Sequence, residues 1–267
     1  MATLDANGLT IAYEAEGAGP PLVLLHGAST SGHDAFAAQR PALATAFRLL
    51  IPDARGHGRT RWDVAAGFGY ADLVDDLGAF ADGLGLRTFH LLGHSMGAMT
   101  ALQAAVRWPE RIRTLVVGGI SIERQPRAAA ARRLFDPDRI DAIDPAWAAD
   151  LARRHDPVQG DGAWRRLLPA IAADVAHQPL LAPADLRRVD APTLVIVGDR
   201  DPFAPVEHAR ELARHLPAGR LLVVPDCGHE TYSTWPAVVN EALHAFYRST
   251  EAVATARAGP ASGGLDR

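Results

Sequence analysis

Gly93-His94-Ser95-Met96-Gly97 sets a serine between two glycines, after the apolar run Thr88-Phe89-His90-Leu91-Leu92 and before an alanine-rich stretch at 98–106. Strand, pentapeptide, helix is the setting of a nucleophile elbow, a strained turn that lifts the serine hydroxyl clear of the sheet edge. Glycines two before and two after the serine let the strand and helix backbones approach. The chemistry of such a serine is attack on a carbonyl carbon. Near neutral pH its hydroxyl needs a base within hydrogen-bond reach, and the base needs an acid to orient it. In elbows of this kind the chain order is serine, acid, histidine, so both partners are sought C-terminal of Ser95.

His155, His177, His208, His215, His229 and His244 follow the serine. His229 ends Pro225-Asp226-Cys227-Gly228-His229, directly after the apolar run 221–224. A glycine-bounded loop at that end of a strand can reach back over the sheet, so His229 is the expected base. His208, His215 and His244 fall in helical patterns. The acid belongs to Gly198-Asp199-Arg200-Asp201-Pro202, after the apolar run 193–197, and position alone admits either aspartate. The oxyanion formed by attack needs two backbone N–H donors, one of which is Met96, the residue after the nucleophile.

These groups need a sheet to hold them. Asn7-Gly8 between apolar-rich segments signals a hairpin. Short continuous apolar runs at 22–25, 47–51, 89–92, 114–117, 193–197 and 221–224 read as strands buried on both faces. Helical periodicity falls between most of them, at 71–84, 205–216 and 235–247. Alternating strands and helices imply an α/β fold, a doubly wound, mostly parallel sheet. The interval 121–186 carries no buried-strand run. It reads as a small helical cap inserted after the sixth strand, anchored by Phe135, Trp147 and Trp164. The core is then 1–120 and 187–248, and the polar, aperiodic stretch 249–267 reads as a disordered tail. Trp147, His155 and Trp164 are the candidate pocket residues of the cap. Its arginine pairs, 132–133, 153–154 and 165–166, with 187–188 just beyond it, offer an anion site, although solvated helix faces account for them.

The 267 residues are 48% hydrophobic with a net charge of −4 and no basic block, which gives no footing for nucleic acid. All 27 basic residues are arginine. The single cysteine, Cys227, has no intrachain partner for a disulfide. The N-terminus lacks a signal-peptide pattern and no apolar run approaches a membrane span, so a soluble, cytoplasmic protein is expected. No His/Cys/Glu set has metal-ligand spacing, and neither metal nor organic cofactor is expected.

The chain resembles the α/β-hydrolase superfamily over roughly residues 5 to 248. The resemblance lies in Leu24-Leu25-His26-Gly27, Pro52-Asp53-Ala54-Arg55-Gly56-His57-Gly58-Arg59, the elbow, Gly198 to Asp201, and Gly228-His229. It implies Asp201 rather than Asp199 as the acid, and Ala28 as the second oxyanion donor. His26, His94 and the 53–59 segment are read as architecture. Haloalkane dehalogenases and epoxide hydrolases of this superfamily carry Asp at the elbow, and plant-type hydroxynitrile lyases use a cap lysine; this chain has neither. The resemblance implies a carboxylic ester or lactone hydrolase acting on a small-molecule acyl substrate through Ser95, His229 and Asp201. A carbon–carbon bond hydrolase, a cofactor-free perhydrolase and a non-catalytic ligand receptor on the same fold are the alternatives.

Overall fold

The computed structural model describes residues 1–63 and 67–258, with side chains described as far as Thr250. Its first element is the hairpin that Asn7-Gly8 signals. Strands β1 (Ala2–Ala6) and β2 (Leu9–Glu16) pair antiparallel. Asn7 and Gly8 both take positive φ, 49° and 73°, as a tight turn between twisted strands requires. The other strands are β3 (Pro21–Leu25), β4 (Arg48–Pro52), β5 (Phe89–His94), β6 (Ile112–Gly118), β7 (Thr193–Gly198) and β8 (Gly219–Val224). They form one eight-stranded sheet in the order β1-β2-β4-β3-β5-β6-β7-β8. From β4 to β8 every neighbouring pair is parallel, and only the β1–β2 and β2–β4 pairings are antiparallel.

The strand side chains divide by the period of two. Val23, Leu25, Leu91, Leu115 and Val195 face one layer, and Leu22, Leu24, Leu92, Val116 and Leu194 the other. Helices α2 (Tyr70–Gly83), α3 (Met96–Arg107) and α9 (Val206–His215) cover the first face. Helices α1 (Arg40–Leu43) and α11 (Pro236–Ala258) cover the second. The fold is thus a doubly wound sheet with a helical insert after β6. The insert holds α4 (Arg127–Leu134), α5 (Pro137–Ile143), α6 (Pro145–Gln159) and α7 (Ala163–His177), followed by the short α8 (Pro183–Leu186). A last short helix, α10 (Thr231–Thr234), precedes α11.

Two elements differ from expectation. The run 221–224 reads as buried on both faces, but β8 is an edge strand with β7 as its one partner, and Val223 is 37% exposed. Helix α11 does not stop where the apolar period stops: residues 249–258, expected as the start of a disordered tail, continue it as helix. Alanine-rich sequence propagates an established helix without needing to bury a face. The remainder of that tail, 259–267, lies outside the described residues.

The central strands meet α3 at unusually close range. A Cβ placed on Gly97 would lie 2.2 Å from the Leu25 carbonyl oxygen, and one on Gly93 would lie 2.3 Å from that of Gly97. Both obstacles are backbone and cannot rotate away. Gly97→Ala therefore lowers stability by about 3 kcal/mol, measurable as a shifted urea midpoint; a midpoint equal to wild type would show that α3 has room to move.

Candidate active site

Ser95 stands between β5 and α3 with φ 52° and ψ −114°, a conformation that L-residues avoid. Three backbone hydrogen bonds hold it. Ser95 N–H donates to Gly118 O at 2.8 Å, Gly97 N–H to His26 O at 3.1 Å, and Met99 N–H to Ser95 O at 3.0 Å. The turn is thereby tied to β6, to the end of β3 and to its own helix.

His229 follows β8 in a loop. Its Nδ1 lies 2.9 Å from Asp201 Oδ2. Since a carboxylate accepts, Nδ1 carries the proton and Nε2 keeps its lone pair. Asp201 is itself held by the Phe203 and Ala204 N–H groups, which donate to Oδ1 at 2.7 and 3.2 Å. Phe203 packs on the His229 ring with centroids 4.4 Å apart, and His94 approaches the same ring at 4.8 Å. Gly119, at φ 66°, passes beneath both rings; a Cβ there would come within 2.9 Å of His229 Cε1. Asp199 has different work. Its Oδ1 accepts from Cys227 N–H at 2.9 Å, closing the loop that carries His229.

Ala28 and Met96 flank the serine. They are 5% and 2% exposed, yet among the described residues neither backbone N–H has an acceptor. Buried amide donors are nearly always paired, so two unpaired beside one hydroxyl call for an explanation. Met96 is the first residue of α3, whose opening turn leaves N–H groups free by construction.

The Ala28 loop is gripped from below by buried rings. His26 donates from Nδ1 to Gly27 O at 2.8 Å while its Nε2 accepts from Ala54 N–H at 2.9 Å. His57 places Nε2 2.9 Å from Ala28 O and Nδ1 2.9 Å from Arg55 O. Asp53 fastens the next turn, accepting from Gly32 N–H at 2.7 Å and from Arg59. From the insert, Arg154 donates to Ser29 O at 2.8 Å and pairs with Asp34 at 2.6 Å.

Ser95 and His229 line a cavity of about 600 Å³, together with Trp147, Phe135, Arg154 and Glu230. His155 and Trp164, the other candidate pocket residues, do not line it. His155 is fully buried, and its Nδ1 accepts from Gly58 N–H at 3.1 Å. Trp164 lies on the inward stripe of α7, packed in the core under Arg165. Of the arginine pairs, Arg165 is ion-paired with Asp141 and Arg153 with Asp150 on exposed surfaces. Among the described residues, His94, His229 and Glu230 bring three ligand-type atoms within 4.8 Å of one another. Glu230 lies 3.6 Å from His94 Nε2, and this neighbour, with His229, holds its carboxyl down at about 2.

A family model described as Alpha/beta hydrolase family matches residues 22–244. The chain belongs to the alpha/beta hydrolase family. It is 31% identical to a non-heme bromoperoxidase-type protein of Mycobacterium tuberculosis, BpoC, over 91% of this chain and 100% of that one. It is also 31% identical to the 2-hydroxymuconate semialdehyde hydrolase of a Pseudomonas strain, over 85% of this chain and 86% of the other. Among solved structures it superposes on a thermophilic esterase from Thermogutta terrifontis with a TM-score of 0.75 at 27% identity, covering 93% of this chain and 97% of that one. No helix among the described residues is long and apolar enough to cross a membrane.

Phe203, Glu230 and the ring contacts beneath Ala28 leave no mark that sequence reasoning could read. Phe203 lies only two residues beyond Asp201, but nothing in its type distinguishes a ring stacked on His229 from ordinary core. The buried rings carry a consequence for stability. Burial pushes His57 down to about 3, His155 to about 2 and His90 to about 4. Below about pH 6.5 the unfolded chain takes up protons that the folded chain refuses, so stability is lost as pH falls through that value toward 4. Each such ring costs up to about 1.4 kcal/mol per pH unit. Urea unfolding at pH 7.5 and 5.0 reads this directly, and equal midpoints would mean that the rings are charged in the fold.

Proposed function

We propose that this chain is a serine hydrolase that cleaves a carboxylic ester or lactone through an acyl-enzyme. The observation that carries the reading is the coincidence, around one strained serine, of an oriented imidazole and two buried N–H groups without acceptors among the described residues. Ser95 Oγ attacks the carbonyl carbon while His229 Nε2 takes its proton. The Ala28 and Met96 amides receive the oxyanion, which supplies the acceptor that they lack in the resting protein. His229 then protonates the departing alcohol, and water repeats the sequence on the acyl-enzyme. Asp201 fixes the imidazole tautomer and stabilises its charged form. Asp199, committed to Cys227 N–H, takes no part in this.

Carbon–carbon bond cleavage is the second reading, favoured by the 31% identity to the 2-hydroxymuconate semialdehyde hydrolase. It would employ the same serine, histidine and oxyanion site on a ketonic carbonyl, with a carbon leaving group.

Wild type and Ser95→Ala, assayed side by side on p-nitrophenyl esters from acetate to decanoate, test the proposal. The expected result is turnover by wild type and loss of about 10³-fold or more in Ser95→Ala. Asp201→Asn should lose about 10³–10⁴-fold with little change in KM, because it misorients the imidazole without touching substrate. Undiminished turnover by pure Ser95→Ala would overturn the mechanism. Absence of ester turnover with cleavage of 2-hydroxymuconate semialdehyde would select the second reading.

A further inference from the structure

Two arginines are buried among the described residues, and they are treated very differently. Arg55 is 7% exposed and grips Asp76 with two hydrogen bonds of 2.6 and 2.8 Å, with Asp72 at 3.5 Å. Arg127, the first residue of α4, is 6% exposed. Its Nε donates to Glu123 O at 2.8 Å, but no carboxylate among the described residues lies within the 4.0 Å of an ion pair. A buried guanidinium is costly unless a counter-charge and hydrogen bonds replace its hydration. The Asp174 charge reaches Arg127 from beyond pairing distance, and among the described residues its buried Oδ2 has no hydrogen-bond partner. Burial holds the Asp174 carboxyl up at about 6. Arg124 is a like charge in the same surroundings, and the Tyr70 phenol there is kept neutral by burial.

Arg127 also has an address. It lines a second, smaller cavity with Ser95, Ala28 and Met96, the residues assigned above to attack and to the oxyanion. The other walls are chiefly apolar, including Met99, Ile120 and Val175. About 40 Å³ is open there to the centres of water-sized groups, room for a few such centres and so for a short chain rather than a ring system. A compact, mostly apolar cleft with a carbonyl-activating end and one unpaired cation matches an acyl group that carries its own negative charge.

We propose that Arg127 binds a carboxylate on the acyl half of the substrate, so that the preferred substrates are half-esters or lactones of short dicarboxylic acids. This rests on the acyl-transfer reading above and names its substrate class. The exposed arginine pairs of the insert have no part in it. The guanidinium presents a planar fork that a carboxylate can engage through two parallel hydrogen bonds. The carboxylate supplies the charge that the fold withholds.

The mono-p-nitrophenyl esters of succinate, glutarate and adipate are compared with the neutral butyrate, pentanoate and hexanoate esters of matching length. The expected result for wild type is a kcat/KM at least tenfold higher for the best half-ester than for its neutral counterpart. Arg127→Gln should abolish that ratio and Arg127→Lys should keep part of it; a purely structural role for Arg127 would lower both ester classes together. A measurement on wild type alone guards against variants that fail to fold. Glutarate should inhibit hydrolysis of a neutral ester at least tenfold more strongly than glutaramide, the uncharged diamide. A neutral ester preferred at every length, with no advantage of glutarate over glutaramide, would overturn the proposal. If no ester is hydrolysed, calorimetry separates the two claims. Glutarate binding to wild type and not to Arg127→Gln upholds the anion site while the ester reading fails, and absence of glutarate binding defeats both.

Discussion

The site depends on how closely the first turn of α3 lies against the end of β3. With only a hydrogen on Gly97, the helix backbone comes to rest against the Leu25 carbonyl, and the Gly97 amide bonds to His26 O. That approach leaves Ser95 no ordinary conformation. Its positive φ is enforced from three directions, by β6 through Gly118, by β3 through His26 and by the helix through Met99. Strain of this kind persists only where the surroundings over-determine it. It is also what points the serine away from the sheet and turns the first N–H of the helix toward the same space.

The second half of the site is a loop that must not collapse into the first. The Ala28 carbonyl is engaged by His57, and among the described residues its N–H has no acceptor. Gly27 and Ser29, the neighbours, are held through their carbonyls by His26 and Arg154. The loop thus spends its acceptors on three side chains while leaving a donor free. Arg154 comes from the insert, and so do Phe135 and Trp147 on the larger cavity wall. A shift of α6 would therefore be felt at Ser29, through a hydrogen bond and an ion pair to Asp34.

Much of this is legible in the sequence wherever the determinant is local. Asn7-Gly8 specifies its hairpin because positive φ at two consecutive positions is a property of those residues. The elbow announces itself because glycine spacing, apolar run and helix follow one another directly. Legibility fails where burial is decided by distant neighbours. Nothing within 221–224 says that no strand will lie beyond it, so β8 reads as central and stands at the edge. Asp199 and Asp201 share one loop, and their separation into a loop clasp and a histidine partner depends on Cys227 and His229, which arrive from the next strand. Trp164 looks like a pocket residue until α7 turns its apolar stripe inward. Arg127 is the sharpest case: its sequence neighbours are arginine-rich helix, and only the packing of α4 against α7 separates it from residues such as Arg132 that face solvent.

The insert leaves the sheet after β6 and returns at β7, and these strands are adjacent, with Gly118 level with Ile196. The excursion therefore opens and closes at one doorway. Ser95, Asp201 and His229 all lie outside it, whereas Arg127, Phe135, Trp147 and Arg154 lie within it. Inheritance can act on the two parts separately. A lineage can lengthen, shorten or rewrite the excursion and acquire a new diet while the reaction it performs is handed down unaltered. The sheet does not register the exchange, because the doorway stays the same width.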